Sequence, residues 1–217
     1  MKNSKVFEIL NDLINRYPNL EVCKKDILDF YYILEKCFDK NGILLIAGNG
    51  GSAADSEHIA GELMKGFNLK RPLNKELKKE LLKVNNELGE VLGKELQKAF
   101  SCIPLVGQNA LSSAYMNDCN PYLVYAQQIN GLGKENDVFL GISTSGNSKN
   151  ILYGAVIAKA KKMKVLGLTG ENESELSKIS DVCIKAPEWE TYKIQELHLP
   201  IYHCICLMLE ERFFGNE

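Results

Sequence analysis

No stretch of this 217-residue chain is long and apolar enough to cross a bilayer. Its amino terminus, MKNSKVFEILNDL, is polar and amphipathic, unlike a secretory signal. Neither charge is in excess. Lys plus Arg number 26 against 28 Asp plus Glu, a net charge of −2, which argues against a broad electrostatic hold on nucleic acid. Seven cysteines are present (Cys23, Cys37, Cys102, Cys119, Cys183, Cys204 and Cys206), an odd number with no CxxC pair. Most lie in apolar segments, so the expectation is buried free thiols in a reducing, cytoplasmic setting. Two nucleotide signatures are missing as well. No Gly-Lys-Ser/Thr follows the Gly-rich turn at Gly48, and its spacing is not GxGxxG. What is left is ordinary globular composition, 45% hydrophobic and 25% charged, with no membrane or nucleic-acid partner expected.

What is present is an alternation of apolar runs and amphipathic segments. Helices are expected over Ser4–Tyr17, with Val6, Phe7, Leu10 and Leu13 on one face, and over Val22–Asp39, ended by Asn41-Gly42. Short branched runs at Ile43–Ala47, Ile103–Val106, Val138–Ile142, Lys164–Leu168 and Val182–Lys185 read as buried strands. Helices are expected between them: Ala53–Lys65, Ala110–Asn117, one starting at Pro121 and one after Ser148. A last helix is expected over Glu188–Phe213, kinked at Pro200, which removes a backbone hydrogen bond. Strands alternating with helices imply an α/β fold, a parallel sheet covered on both faces, with ligands at the carboxyl ends of its strands. Leu73 to Ser101 departs from this economy. It is rich in Lys, Glu and Leu, with Leu77, Leu81, Val84, Leu88, Val91 and Leu92 at helical spacing, and reads as a helical insertion broken near Gly89 or Gly93. It is either a solvated arm or a subunit contact.

Two strand ends lead into turns of small residues that open helices: GNGGS at Gly48–Ser52 and STSGNS at Ser143–Ser148. The first is compatible with a plain tight turn or with close backbone approach to a ligand. The second is more specific. Ser143, Thr144, Ser145 and Ser148 bring four hydroxyls within six residues, where capping a helix needs one. With no Lys or Arg in the turn, hydrogen bonds and the helix dipole would hold an anion, which suits a phosphate monoester used as a handle. Phosphoryl transfer would want more positive charge and a metal clamp.

The chain has three histidines, His58, His198 and His203. His58 and Glu62 are four apart on the helix after GNGGS, so they share a face. On that helix Ala54, Ile59 and Leu63 are expected to mark the buried stripe. On the last helix Gln195, Leu199 and His203 fall along one ridge, while His198 points elsewhere and reads as a packing residue. His58, Glu62, Gln195 and His203 together would suit a divalent metal such as zinc, or acid–base chemistry without a metal. The pairing of His58 with Glu62 is equally compatible with a surface ion pair.

GNGGSAADSEH, LGISTSGNSKN and YKIQELHLPIYH resemble the sugar isomerase (SIS) domain family, and within it the phosphoheptose isomerases, over nearly the whole chain. The resemblance implies one SIS domain over residues 1–217: a five-stranded parallel sheet flanked by helices in the doubly wound, flavodoxin-like manner, with N-terminal helices over 1–40 and an insertion at about 73–101. It implies a homotetramer and the isomerisation of sedoheptulose 7-phosphate to D-glycero-D-manno-heptose 7-phosphate. By similarity, Asn49, Gly50, Gly51 and Ser52 form one substrate loop, and Asn117 and Asp118 a further contacting pair. Ser143, Thr144, Ser145 and Ser148 match the phosphate cradle, and His58, Glu62, Gln195 and His203 match zinc-binding positions, with Glu62 and Gln195 also near the sugar. Glu62 and His203 are then the expected acid–base pair. Tyr192 stands where relatives often carry an acid, and Gly66, beside Lys65, where they carry a base. Two other functions fit the same fold: a non-catalytic SIS module that binds a sugar phosphate and regulates a protein partner, and an isomerase of another ketose phosphate.

Overall fold

A computed structural model describes residues 2–215 of the chain; Met1, Asn216 and Glu217, the ends of the expected 1–217 span, lie outside the described residues. The chain runs α1 (Lys2–Arg16), α2 (Lys24–Asp39), β1 (Leu44–Ala47), α3 (Gly51–Met64), α4 (Lys75–Val84), α5 (Asn86–Glu95), β2 (Cys102–Pro104) and α6 (Asn109–Asp118). It continues through α7 (Val124–Leu132), β3 (Val138–Ile142), α8 (Lys149–Ala160), β4 (Lys164–Gly170), α9 (Glu175–Ile179), β5 (Val182–Ala186) and α10 (Thr191–Phe214). The five strands pair in parallel in the order β2-β1-β3-β4-β5, as the alternating pattern implies.

Because successive strand side chains point to opposite faces, each strand feeds two cores. Leu44 and Ile46 of β1, Leu140 and Ile142 of β3 and Leu166 and Leu168 of β4 pack with α1, α2, α3 and α10. Leu45 and Ala47 of β1, Phe139 of β3 and Val165 of β4 pack with α7 and α8 on the other side. The cysteines follow this burial. All seven are free thiols, five of them buried, with Cys183 half-buried and Cys119 exposed. Burial pushes the Cys23 thiol up to about 11 and the Cys37 thiol to about 12, so both stay protonated near neutral pH.

Several local expectations are corrected. The buried stripe of α1 is Val6, Leu10, Leu13 and Ile14, and Phe7 lies outside it at 38% exposure. A 3₁₀ turn, Pro18–Cys23, precedes α2. On α3 Ala54 is exposed, and Ser52, Ser56, Ile59, Ala60 and Leu63 are buried instead. The insertion breaks at Asn85, not at Gly89 or Gly93. Asn85 caps α5 by accepting a hydrogen bond from the Leu88 N–H at 2.9 Å. Gly89 has another task. A Cβ there would stand 2.4 Å from the Leu81 carbonyl oxygen, so its absence lets α5 fold back onto α4. An antiparallel bridge between Pro72 and Gln97 closes the base of this helical hairpin. Pro200 lies inside α10 without ending it. Among the described residues no helix is long and apolar enough to cross a membrane.

His198 is fully buried on α10, and its Nε2 donates to the Thr169 carbonyl at 3.2 Å. Its Nδ1 is buried with no partner, so a second proton would carry an unsolvated charge. Burial accordingly holds the imidazole down at about 4, against an ordinary 6.5. Between these values the unfolded chain binds a proton that the folded chain does not, so this residue's stability is present above pH 6.5 and lost as the pH falls toward 4. The expected loss is about 3 kcal/mol. Urea unfolding of metal-free protein at stepped pH should show that slope in the wild type, and show it diminished in His198→Gln, whose amide can still donate to Thr169.

Candidate active site

In this strand order the chain reverses direction between β1 and β3, and ligands of doubly wound sheets bind at that crevice. GNGGS leaves β1 there and STSGNS leaves β3, so the two turns distant in sequence face one another. They are tied directly. The Asn49 amide donates to Asn150 Oδ1 at 2.9 Å, and the Asn150 amide donates back to Asn49 Oδ1 at 2.8 Å. Beneath, the Tyr125 hydroxyl donates to the Gly48 carbonyl at 2.8 Å.

The hydroxyl turn is shaped from within. The Ser143 and Ser148 hydroxyls are 3.1 Å apart. The Asn147 N–H donates to Ser145 Oγ, while Asn147 Oδ1 accepts from the Glu175 N–H at 3.1 Å, bracing the turn against α9. Gly146 sits at φ +64°, and a Cβ there would lie 2.0 Å from Ser174 Oγ, so only glycine fits. Ser143 is buried, Thr144 and Ser148 are half-buried and Ser145 is exposed. Thr144 and Ser145 open onto a cleft of about 300 Å³, also lined by Asn147, Gly170, Glu188 and Trp189. In GNGGS, by contrast, Ser52 is buried under the turn, whereas Asn49, Gly50 and Gly51 are exposed.

The last helix meets this crevice at two levels. The Gln195 amide stands over Gly51, whose missing Cβ would be 2.7 Å from Gln195 Nε2. Two turns further on, His203 Nε2 lies 3.4 Å from His58 Nε2, and His58 Nε2 lies 3.4 Å from Glu62 Oε1. Helices 145 residues apart in sequence thus bring both imidazoles and the carboxylate into one array. Glu62 is largely covered, and its second oxygen, Oε2, accepts from Lys65 Nζ at 3.2 Å, so a cation does stand beside this site although Gly66 carries none. Burial holds His203 below the usual histidine value, the neighbouring His58 adds to the effect and Glu62 opposes it. The neutral form this favours carries one N–H to donate and one bare ring nitrogen to accept, the two halves of acid–base work.

Gln195 makes no hydrogen bond to the other three among the described residues, and among those residues no group of three or more His, Cys, Asp or Glu side chains is placed so that it could hold a metal ion. In donor type the four side chains, two imidazoles, a carboxylate and an amide, are ones zinc takes. Two donors bound at zinc distances in a tetrahedral shell lie about 3.3–3.4 Å apart, and the two contacts of His58 Nε2 have that spacing. Asn117 and Asp118 close α6, where the Asn117 amide donates to Asp118 at 2.8 Å. Among the described residues no hydrogen bond ties either of them to the two turns. Two residues near the array had not been singled out in the sequence: Asp55, three before His58, and Tyr202, next to His203. The Tyr202 hydroxyl contacts both Asp55 Oδ1, at 3.2 Å, and His58 Nδ1, at 3.0 Å.

Residues 121–206 match the SIS domain family. The five-stranded parallel sheet, with two turns meeting at its switch point, makes this a doubly wound α/β protein, and the matched segment lies within that fold. Over most of its length the chain is similar to named enzymes of that class. It is 36% identical to phosphoheptose isomerase 2 of Campylobacter jejuni over 181 residues, 83% of this chain and 77% of that one. It is 30% identical to the phosphoheptose isomerase of Akkermansia muciniphila over 211 residues, 96% of this chain and 98% of that one. The solved structure of a phosphoheptose isomerase from Francisella tularensis superposes with a TM-score of 0.73 at 25% identity, covering 96% of this chain and 98% of that one. The chain belongs to the phosphoheptose isomerase family.

Proposed function

We propose that this protein is an aldose–ketose isomerase that converts sedoheptulose 7-phosphate to D-glycero-D-manno-heptose 7-phosphate. The observation that carries the reading is the array in which Glu62 and His203, on two helices, both contact His58, in a chain that also offers a hydroxyl turn fit for a phosphate. In this reading the whole chain, 1–217, works as one SIS domain in the cytoplasm. It works as a homotetramer, a reading supported by apolar side chains left in water, among them Phe7, Met64, Leu88 and Val91.

Isomerisation moves one proton between adjacent carbons through an enediol and exchanges carbonyl and hydroxyl. Ser143, Thr144, Ser145 and Ser148 hold the phosphate with hydroxyls and with N–H groups at the start of α8, and Asn49, Gly50, Gly51 and Ser52 close the other wall. Asn117 and Asp118 reach the sugar from the end of α6. Glu62 takes the proton from C1 of the ketose and returns it to C2. His203 gives a proton to the carbonyl oxygen as the enediol forms, and recovers one from the neighbouring hydroxyl as the aldehyde appears. Gln195, over Gly51, orients the sugar chain. His58, Glu62, Gln195 and His203 are the residues that would hold zinc, and zinc would supply polarisation of the substrate carbonyl.

Incubation of purified protein with sedoheptulose 7-phosphate in deuterated water tests the reading. A heptose 7-phosphate product that carries deuterium at C2 is expected. Neither product nor exchange, with the sugar phosphate still bound, would instead identify a regulatory binding module. A panel of other ketose phosphates checks the sugar. In the same assay Ser145→Ala should raise KM about 10-fold with kcat nearly unchanged, since it removes one hydrogen bond to a charged phosphate. An unchanged KM would count against the cradle.

A further inference from the structure

Tyr202 is buried at 3% exposure, yet its hydroxyl ends between two polar partners on α3. Asp55 and His58 are three apart, so one helical face presents both to it. The Tyr202 and His58 rings meet edge to face, with centroids 5.5 Å apart and planes at 74°. A tyrosine hydroxyl has one proton to give, and an ionised carboxylate only accepts. Asp55 Oδ2 is buried with no partner, so the bond from Tyr202 to Oδ1 is the one hydrogen bond Asp55 receives through its carboxylate among the described residues. Were Tyr202 to turn its proton toward His58 instead, both oxygens of a largely covered carboxylate would go unsatisfied, the costlier arrangement. The hydroxyl proton therefore goes to Asp55, and the phenol oxygen is left to accept from His58 Nδ1–H.

We infer that Asp55 and Tyr202 form a positioning relay that fixes His58 as the Nδ1–H tautomer, keeping its Nε2 lone pair bare toward Glu62 and His203. The inference rests on the reading of His58, Glu62 and His203 as the working array. Without the relay the proton of a neutral His58 can sit on Nε2, where it blocks the nitrogen that would bind zinc and replaces an acceptor with a donor facing Glu62. Partners of this kind, behind the ligand, set both ring orientation and tautomer. The relay belongs to this chain's own geometry: the residue that sets His58 on α3 sits on α10, beside His203, so one side chain registers both histidine-bearing helices.

The test is nitrogen-15 NMR of the three histidine rings in metal-free, full-length protein, with assignments from His198→Gln and His203→Gln. His58 is expected as Nδ1–H in the wild type. Tyr202→Phe keeps the ring and loses the hydroxyl. It should move His58 toward Nε2–H, weaken zinc binding in a competition titration about 10- to 100-fold, and lower kcat about 10-fold with KM within about twofold. An Nε2–H His58 in the wild type overturns the relay, and that measurement needs no variant to fold. Unchanged zinc affinity and kcat in folded Tyr202→Phe overturn its positioning role even if the ring has switched. A relay that passes while wild-type protein isomerises no ketose phosphate would leave the tautomer assignment standing and remove the isomerase reading; an active enzyme with the wrong tautomer would do the reverse.

Discussion

Glu62→Gln should lower kcat by about 1,000-fold while KM stays within about threefold, because removal of a positioned general base costs about 10²–10⁴ in rate. The amide keeps the size of the side chain and its place beside His58 and Lys65, so substrate binding through the phosphate is preserved. What it loses is the ability to accept a proton from carbon. The ratio of the two kinetic constants is informative, since an interaction made only in the transition state lowers kcat and kcat/KM together. Steady-state kinetics with sedoheptulose 7-phosphate would decide, with deuterium exchange at C2 followed in parallel. Exchange that survives in the variant would assign the carbon proton to His203. Turnover at the wild-type rate would remove Glu62 from the mechanism, and the reading of the site with it.

Much of this site was legible because its signals are local. Four hydroxyls packed into STSGNS, and a histidine and a glutamate one helical turn apart, declare themselves in a few residues. The central strands were legible for a related reason: Leu44–Ala47 and Val138–Ile142 are buried along their whole length and therefore written in apolar residues alone. The failures have a common cause in contacts between distant segments. Gly89 looks like a helix breaker in one dimension, yet in three it is the contact point where α5 crosses the Leu81 carbonyl. The break fell to Asn85, whose side chain caps α5. Ala54 reads as core by composition, but the face it occupies points away from the sheet. Asp55 and Tyr202 were passed over because neither carries a motif. A tyrosine beside a candidate histidine, and an aspartate three residues before another, were the only hints. Their relation depends on how α10 lies across α3.

The most consequential of these long-range pairs is Arg71 with Glu210, both 1% exposed. Glu210 Oε1 accepts from Arg71 Nε at 2.8 Å and from the Phe67 N–H at 2.8 Å, and Oε2 accepts from the N–H groups of Asn68 and Leu69. Arg71 spends its other donors on the carbonyls of Leu63 and Glu62, at 2.8 and 3.2 Å, and lies over the rings of Phe100 and Phe214. One ion pair thus caps the end of α3 that carries Glu62, folds the following turn, and fastens both to α10 seven residues past His203. Glu210→Gln keeps the shape but strands a buried guanidinium without its counter-charge. It should destabilise the protein by about 3–5 kcal/mol, the cost of breaking a buried pair from one side. Arg71→Met should do likewise by leaving a buried carboxylate, and Arg71→Met with Glu210→Leu should cost less than the sum of the single changes, since neither charge is then left alone. Urea unfolding of the two single variants and the double variant gives the coupling energy directly. Strict additivity would show that the pair does not act as a unit. A folded Glu210→Gln that keeps wild-type kcat would show that Glu62 holds its place without the clamp, so the pair would then serve the fold alone and not the register of α3 against α10.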